Sequence, residues 1–126
     1  MPSALHNLSG TPVFVCAAEG SPLASAEDAV AVLGEALGQG AKLVATPAAR
    51  LHPEFFRLRS GIAGAFLQKF VTYGVRVVIL GDLREQVEAS TALRDFIIES
   101  NRGGAIWFPA DLQELETRLA LTTPSR

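Results

Sequence analysis

The residues able to do chemistry in this chain are few, and their spacing decides what chemistry is open to them. Two histidines, His6 and His52, and one cysteine, Cys16, stand well apart along the 126 residues. None has a second His or Cys at the spacing of a zinc site, so no metal and no other cofactor is expected. Cys16 lies in the apolar run Val13-Phe14-Val15-Cys16-Ala17, where a thiol behaves as a small hydrophobe and not as a nucleophile. His6 and His52 lack the partner that a general base or a metal ligand needs, and read as capping or solvated rings. Asp82, Glu19 and Thr46 each follow an apolar run, at the carboxyl edge where parallel sheets bind ligands or cations. Gly81-Asp82 and Glu19-Gly20 equally satisfy the backbone needs of a turn. Trp107 and Phe108 read as core, since no basic residues are interleaved with them to make a base-stacking platform.

The richest stretch runs Arg57-Leu58-Arg59-Ser60-Gly61-Ile62-Ala63-Gly64-Ala65-Phe66-Leu67-Gln68-Lys69-Phe70. Ser60 is expected to open a helix that ends at Gly74, with Ile62, Phe66, Phe70 and Tyr73 on its core face. Gly61, Gly64, Ala65, Gln68 and Thr72 then fall on the opposite side, leaving a flat, small surface at the helix start. Each glycine inside a helix costs up to about 1 kcal/mol against alanine, so something should compensate. Three roles fit Ser60. It caps the helix; or it is a phosphorylation-controlled contact on a protein-binding surface; or it helps hold a phosphorylated small molecule at the helix start, beside Arg57 and Arg59. Ser-Gly-x-x-Gly lacks the lysine and the full pattern of a phosphate loop.

The elements that position these residues follow from periodicity. Ala4 to Leu8 and Pro12 to Ala18 read as strands joined by a glycine turn, and Ser25 caps a helix carrying Ala26, Val30, Leu33 and Leu37. Lys42 to Ala45 reads as a buried strand, followed by a loop from Thr46 to Leu58 with one helical turn at Pro53. Val75 to Leu80 is a β-branched strand, and a polar loop leads to Ser90, cap of a helix with Leu93, Phe96 and Ile97. Ala105 to Phe108 is the last strand, and Asp111 with Glu114 starts the final helix. The order β-β-α-β-α-β-α-β-α implies an α/β fold with a mainly parallel sheet and an antiparallel first strand. Residues 1–121 are read as a single domain, with 122–126 as a frayed tail.

Composition narrows the function. With 48% hydrophobic and 19% charged residues the chain is a packed globular protein, and eleven basic against thirteen acidic residues leave no broad footprint for nucleic acid. No apolar run approaches the roughly 18 residues of a membrane span, and the start Met1-Pro2-Ser3-Ala4-Leu5-His6 has no targeting pattern. A cytoplasmic protein without nucleic-acid or membrane partners is expected.

The segment Pro53-Glu54-Phe55-Phe56-Arg57-Leu58-Arg59-Ser60-Gly61-Ile62-Ala63-Gly64, continued by Leu67-Gln68-Lys69-Phe70-Val71 and Tyr73, resembles the bacterial domain-of-unknown-function family 4180. So do Val78-Ile79-Leu80-Gly81-Asp82 and Leu93-Arg94-Asp95-Phe96-Ile97-Ile98-Glu99-Ser100-Asn101. That resemblance implies no established activity. The order of elements is in turn similar to the STAS domain of bacterial anti-sigma factor antagonists. There a partner kinase phosphorylates the hydroxyl residue before the glycine of an Asp-Ser-Ser/Thr-Gly motif, the place that Ser60-Gly61 occupies here. Arg59 stands where that motif has a hydroxyl residue, and Leu58 where it has aspartate.

The combined reading is a STAS-like, non-enzymatic interaction or regulatory module with a protein partner that the sequence does not specify. Ser60, Gly61, Gly64, Gln68 and Thr72 form its contact floor, with Arg57, Arg59, His52 and Glu54 at the rim and Arg94 with Ile98 extending it. The alternative is a small-ligand or anion-binding protein, an enzyme among the options, using the Ser60 helix start together with Asp82. A third option makes the glycine surface a homodimer interface.

Overall fold

The computed structural model describes residues 3–122 of the chain. Of the tail expected to fray, all but Thr122 lies outside the described residues. β1 (Ala4–Leu8) and β2 (Thr11–Val15) form an antiparallel hairpin whose two turn residues, Ser9 and Gly10, have φ of 51° and 84°. β3 (Leu43–Pro47), β4 (Arg76–Leu80) and the two-residue β5 (Ile106–Trp107) follow in parallel, giving the sheet order β1-β2-β3-β4-β5. The α/β fold, with its antiparallel first strand, is the one that the alternation of elements predicts. Helices α1 (Ala26–Gly38), α2 (Ile62–Tyr73), α3 (Arg84–Ala89) and α4 (Thr91–Arg102) lie in the crossovers, and α5 (Leu112–Thr122) follows the last strand.

Because each crossover adds the next strand at the same edge, the crossover helices gather on one face of the sheet. There Phe14, Val44, Val77 and Ile79 meet Leu33 of α1 and Phe66 and Phe70 of α2, with Phe96 of α4 at the margin. The other face, made by Val13, Leu43, Ala45, Val78 and Trp107, meets Leu115 and Leu119 of α5. Trp107 is a core residue as expected, its indole N–H donating to Gly103 O at 2.7 Å. Folding also sets the guanidiniums of Arg76 and Arg118 4.1 and 3.8 Å from its ring centre.

Two helices turn differently from their apolar pattern. In α1 the buried residues are Ala29, Leu33 and Ala36, while Val30 and Leu37 are exposed. In α2 they are Ala63, Phe66, Leu67 and Phe70, which puts Tyr73, 52% exposed, off the core face. Alanines let the helices approach their neighbours closely, so the larger side chains are displaced to the outside.

The caps behave as their residue types dictate. Ser25 Oγ accepts from Asp28 N at 3.1 Å, and Asp28 Oδ2 accepts from Ala24 N and Ser25 N at 2.8 and 3.1 Å. These backbone N–H groups, Ala24 foremost, hold the Asp28 carboxyl below its ordinary range. Asp28→Ala is expected to cost about 1 kcal/mol near neutral pH. The folded-state value is depressed, so this contribution is present above the ordinary carboxylate range and is lost as the pH falls through the folded one. Urea unfolding of both proteins at neutral and at acid pH checks it, and an undiminished difference in acid would refute the assignment.

Candidate functional site

The chain leaves β3 through three 3-10 turns, Ala48–Arg50, Pro53–Phe56 and Leu58–Ser60, before α2 begins. Pro53 opens the second, its fixed φ suiting a first helical position. Phe55, 1% exposed, fastens that turn to α2: its ring lies 5.8 Å from Phe66 and 5.3 Å from Phe56, edge-on in both cases. His52 caps the turn, Nδ1 accepting from Glu54 N at 3.0 Å.

Ser60 is not the cap residue of α2. That position belongs to Gly61, whose φ of +78° is the left-handed conformation that a side chain disfavours. One residue earlier, Ser60 Oγ accepts from Ile62 N at 3.2 Å and stands 2.8 Å from both Glu54 O and Arg57 O. Its single O–H is shared between two carbonyls, so the hydroxyl ties the preceding turns to the helix start while remaining at the surface. Gly61, Gly64, Gln68 and Thr72 are all exposed with it, and Gln68 Nε2 donates to Thr72 Oγ1 at 3.4 Å along the same stripe. A Cβ added at Gly64 would meet nothing within 4 Å. The glycine therefore answers no packing need inside the chain.

The rim residues divide. Glu54 lies 3.3 Å from Arg57 and offsets its charge, whereas Arg59 has no ion-pair partner among the described residues. Both arginines wall a groove of about 470 Å³ beside Ser60. Pro53, Phe56 and Leu58 line it on their side, and Gln86, Ala89, Ser90 and Ala92 on the other. Gln86 Oε1 is buried and has no hydrogen-bond partner among the described residues. Arg94 is not among these walls; its guanidinium lies 3.8 Å from Asp95 on the exposed side of α4, where Ile98 is also exposed. Asp82 is likewise engaged elsewhere. Arg84 holds it at 2.7 Å and depresses its carboxyl, chiefly through the side-chain hydrogen bond, and the pair lines a different groove with Glu85 and Glu88. Gln86 borders both grooves, and Ser60 lines neither.

At the carboxyl ends of β2 and β3, where such folds commonly bind ligands, the chain fills the space itself, whereas a groove lined by Gly81, Asp82, Phe108 and Ala110 opens past β4 and β5. Thr46 is fully buried, with its hydroxyl 3.8 Å from Cys16 Sγ, and burial pushes that thiol up. Arg50 reaches across to donate to Ser21 O, Ala17 O and Glu19 O at 2.8 to 3.1 Å. Next to β4, Gly81 lies so near Ala48 that an added Cβ would come within 3.0 Å of Ala48 Cβ.

Sequence reasoning missed α3 and with it Gln86, for which a loop was expected. The signal was present in Arg84-Glu85-Gln86-Val87-Glu88-Ala89, mostly strong helix formers, but Leu83 before them supplies no side-chain cap. Across residues 8–119, from the last residue of β1 to the last turns of α5, the chain matches a family described as a domain of unknown function, DUF4180. The chain belongs to this family. Comparison with curated proteins and with solved structures gives no match. The DUF4180 match takes in the three 3-10 turns, α2 and the whole groove, and leaves residues 4–7 of β1 outside it. Among its described residues no helix is long and apolar enough to cross a membrane.

Proposed function

We propose that this chain is a non-enzymatic, STAS-like interaction module of the cytosol, regulatory in role, that binds a protein partner at the start of α2. The observation that carries this reading is the groove beside Ser60. Its lining is mostly apolar, and one wall offers the uncompensated guanidinium of Arg59. The groove thus suits a segment with an apolar side chain and an acidic group for Arg59. The exposed stripe of Gly61, Gly64, Gln68 and Thr72 on α2 lies outside the groove's lining and would be a second contact. Ser60 is the control point, because a negative charge on Oγ would face the carbonyls of Glu54 and Arg57 that now accept its proton.

The test is affinity capture from native cytosol with wild type, Arg59→Glu and Ser60→Asp side by side, with melting curves on all three. A partner held by wild type and weakened about tenfold or more by Arg59→Glu, without loss of melting temperature, is expected. Ser60→Asp should release it as well. A partner retained equally by all three overturns the reading. A second reading, small-anion binding, is favoured by a groove volume within the range of small-molecule sites. Inorganic phosphate would then raise the melting temperature of wild type and not of Arg59→Ala.

A further inference from the structure

We propose that the outer edge of β1 pairs with β1 of a second copy, around a two-fold axis at His6. The two-residue turn at Ser9 and Gly10, with positive φ at both, is the hairpin type that places Leu8 and Thr11 in a hydrogen-bonded pair. Alternation then makes His6 with Val13 and Ala4 with Val15 hydrogen-bonded, and Asn7 with Pro12 and Leu5 with Phe14 non-hydrogen-bonded. Pro12, which has no N–H, stands where none is asked for, and its carbonyl accepts from Lys42 N on the β3 side at 2.8 Å. The N–H and C=O groups of Leu5 and Asn7 therefore point away from β2, and no strand among the described residues pairs with them.

Sheet edges are normally guarded by shortness, by charge or Lys, by Pro or by a bulge. β5, the opposite edge, is two residues long and is followed by Pro109. β1 has five residues in unbroken register, Ala4-Leu5-His6-Asn7-Leu8, with no Pro, Lys, Arg or carboxylate, and its Leu5 is 41% exposed. A strand whose free groups lie at residues 5 and 7 is complementary to itself about the residue between them. In an antiparallel pair, Leu5 and Asn7 exchange both hydrogen bonds with Asn7 and Leu5 of the second copy, and the two His6 side chains stand opposite each other. A second copy can therefore fill the edge with the same residues on both sides of the axis. A contact along one strand is a small interface, so a dissociation constant of roughly micromolar or weaker is expected.

Light scattering of the full chain from micromolar to millimolar concentration tests this, with Leu5→Pro and His6→Lys in parallel. Wild type should approach twice the chain mass. Leu5→Pro removes an outward N–H that bonds nothing in the monomer, and should stay at one chain mass with an intact melting transition. His6→Lys sets like charges opposite each other and should do the same. Amide exchange adds a readout on wild type alone: Leu5 and Asn7 should gain protection with concentration, while His6 and Leu8 are protected throughout. A single chain mass at every concentration overturns the proposal. So does a dimer that survives Leu5→Pro or leaves the Leu5 and Asn7 amides unprotected. The Ser60 surface plays no part, and Arg59→Glu should leave the pairing unchanged.

Discussion

Phe55→Ala is expected to lower stability by about 3–5 kcal/mol, the range for truncating a buried aromatic to alanine. Phe55 is almost wholly buried and links two parts of the structure: its own 3-10 turn, which walls the groove, and the Phe66–Phe70 pair of α2, whose rings lie 5.3 Å apart. Its removal should therefore weaken the core and release the turn. Guanidinium unfolding gives the first effect, and amide exchange across residues 52–60 gives the second. Phe55→Leu, which keeps most of the volume, should recover much of the stability. A loss below about 1 kcal/mol for Phe55→Ala would mean that the core closes over the gap, and that the turn is held by the Ser60 hydroxyl instead.

Arg50→Ala is the second large effect, expected at about 2–3 kcal/mol, because one charged side chain satisfies three carbonyls of the loop between β2 and α1. The same loop is joined to the 3-10 region by Leu23 N to Arg50 O and His52 N to Leu23 O, both 2.9 Å. Lysine should rescue little, since a single ammonium cannot replace a planar fork that reaches Ala17, Glu19 and Ser21 together. Gly20→Ala should fail for the complementary reason. Its φ is +134°, and a Cβ would stand 2.7 Å from Arg50 Cζ. Urea unfolding of Arg50→Ala and Arg50→Lys decides the matter, and full rescue by lysine would show that charge alone is sufficient.

What could be read from the sequence was whatever local chemistry decides. Ser25, Ser90 and Asp111 cap α1, α4 and α5 because a short oxygen-bearing side chain before an apolar period has few other uses. The antiparallel hairpin and the parallel remainder followed from loop lengths. Helix rotation did not, because alanine carries little hydrophobic signal and yet decides which faces come closest, as at Ala29 and Ala36. Nor did the exact task of Ser60. A left-handed glycine between a 3-10 turn and a helix moves the cap by one residue, and the two carbonyls that meet the hydroxyl are a product of the fold. The stripe of Gly61, Gly64, Gln68 and Thr72 was legible from period alone. Gln86 and Arg50 were not, because their roles depend on segments far from them in the chain.

The consecutive strand order also sets a timetable. During synthesis each new strand leaves the ribosome next in line for the edge it will join, so the sheet can grow in the direction of translation without opening to admit a later strand. The face made by Val13, Leu43, Ala45 and Val78 follows a different clock. It stays uncovered until α5, which follows every strand of the sheet, folds over it. The nascent chain thus presents an apolar surface that chaperones can recognise, and emergence of Leu115 and Leu119 is the event that withdraws it.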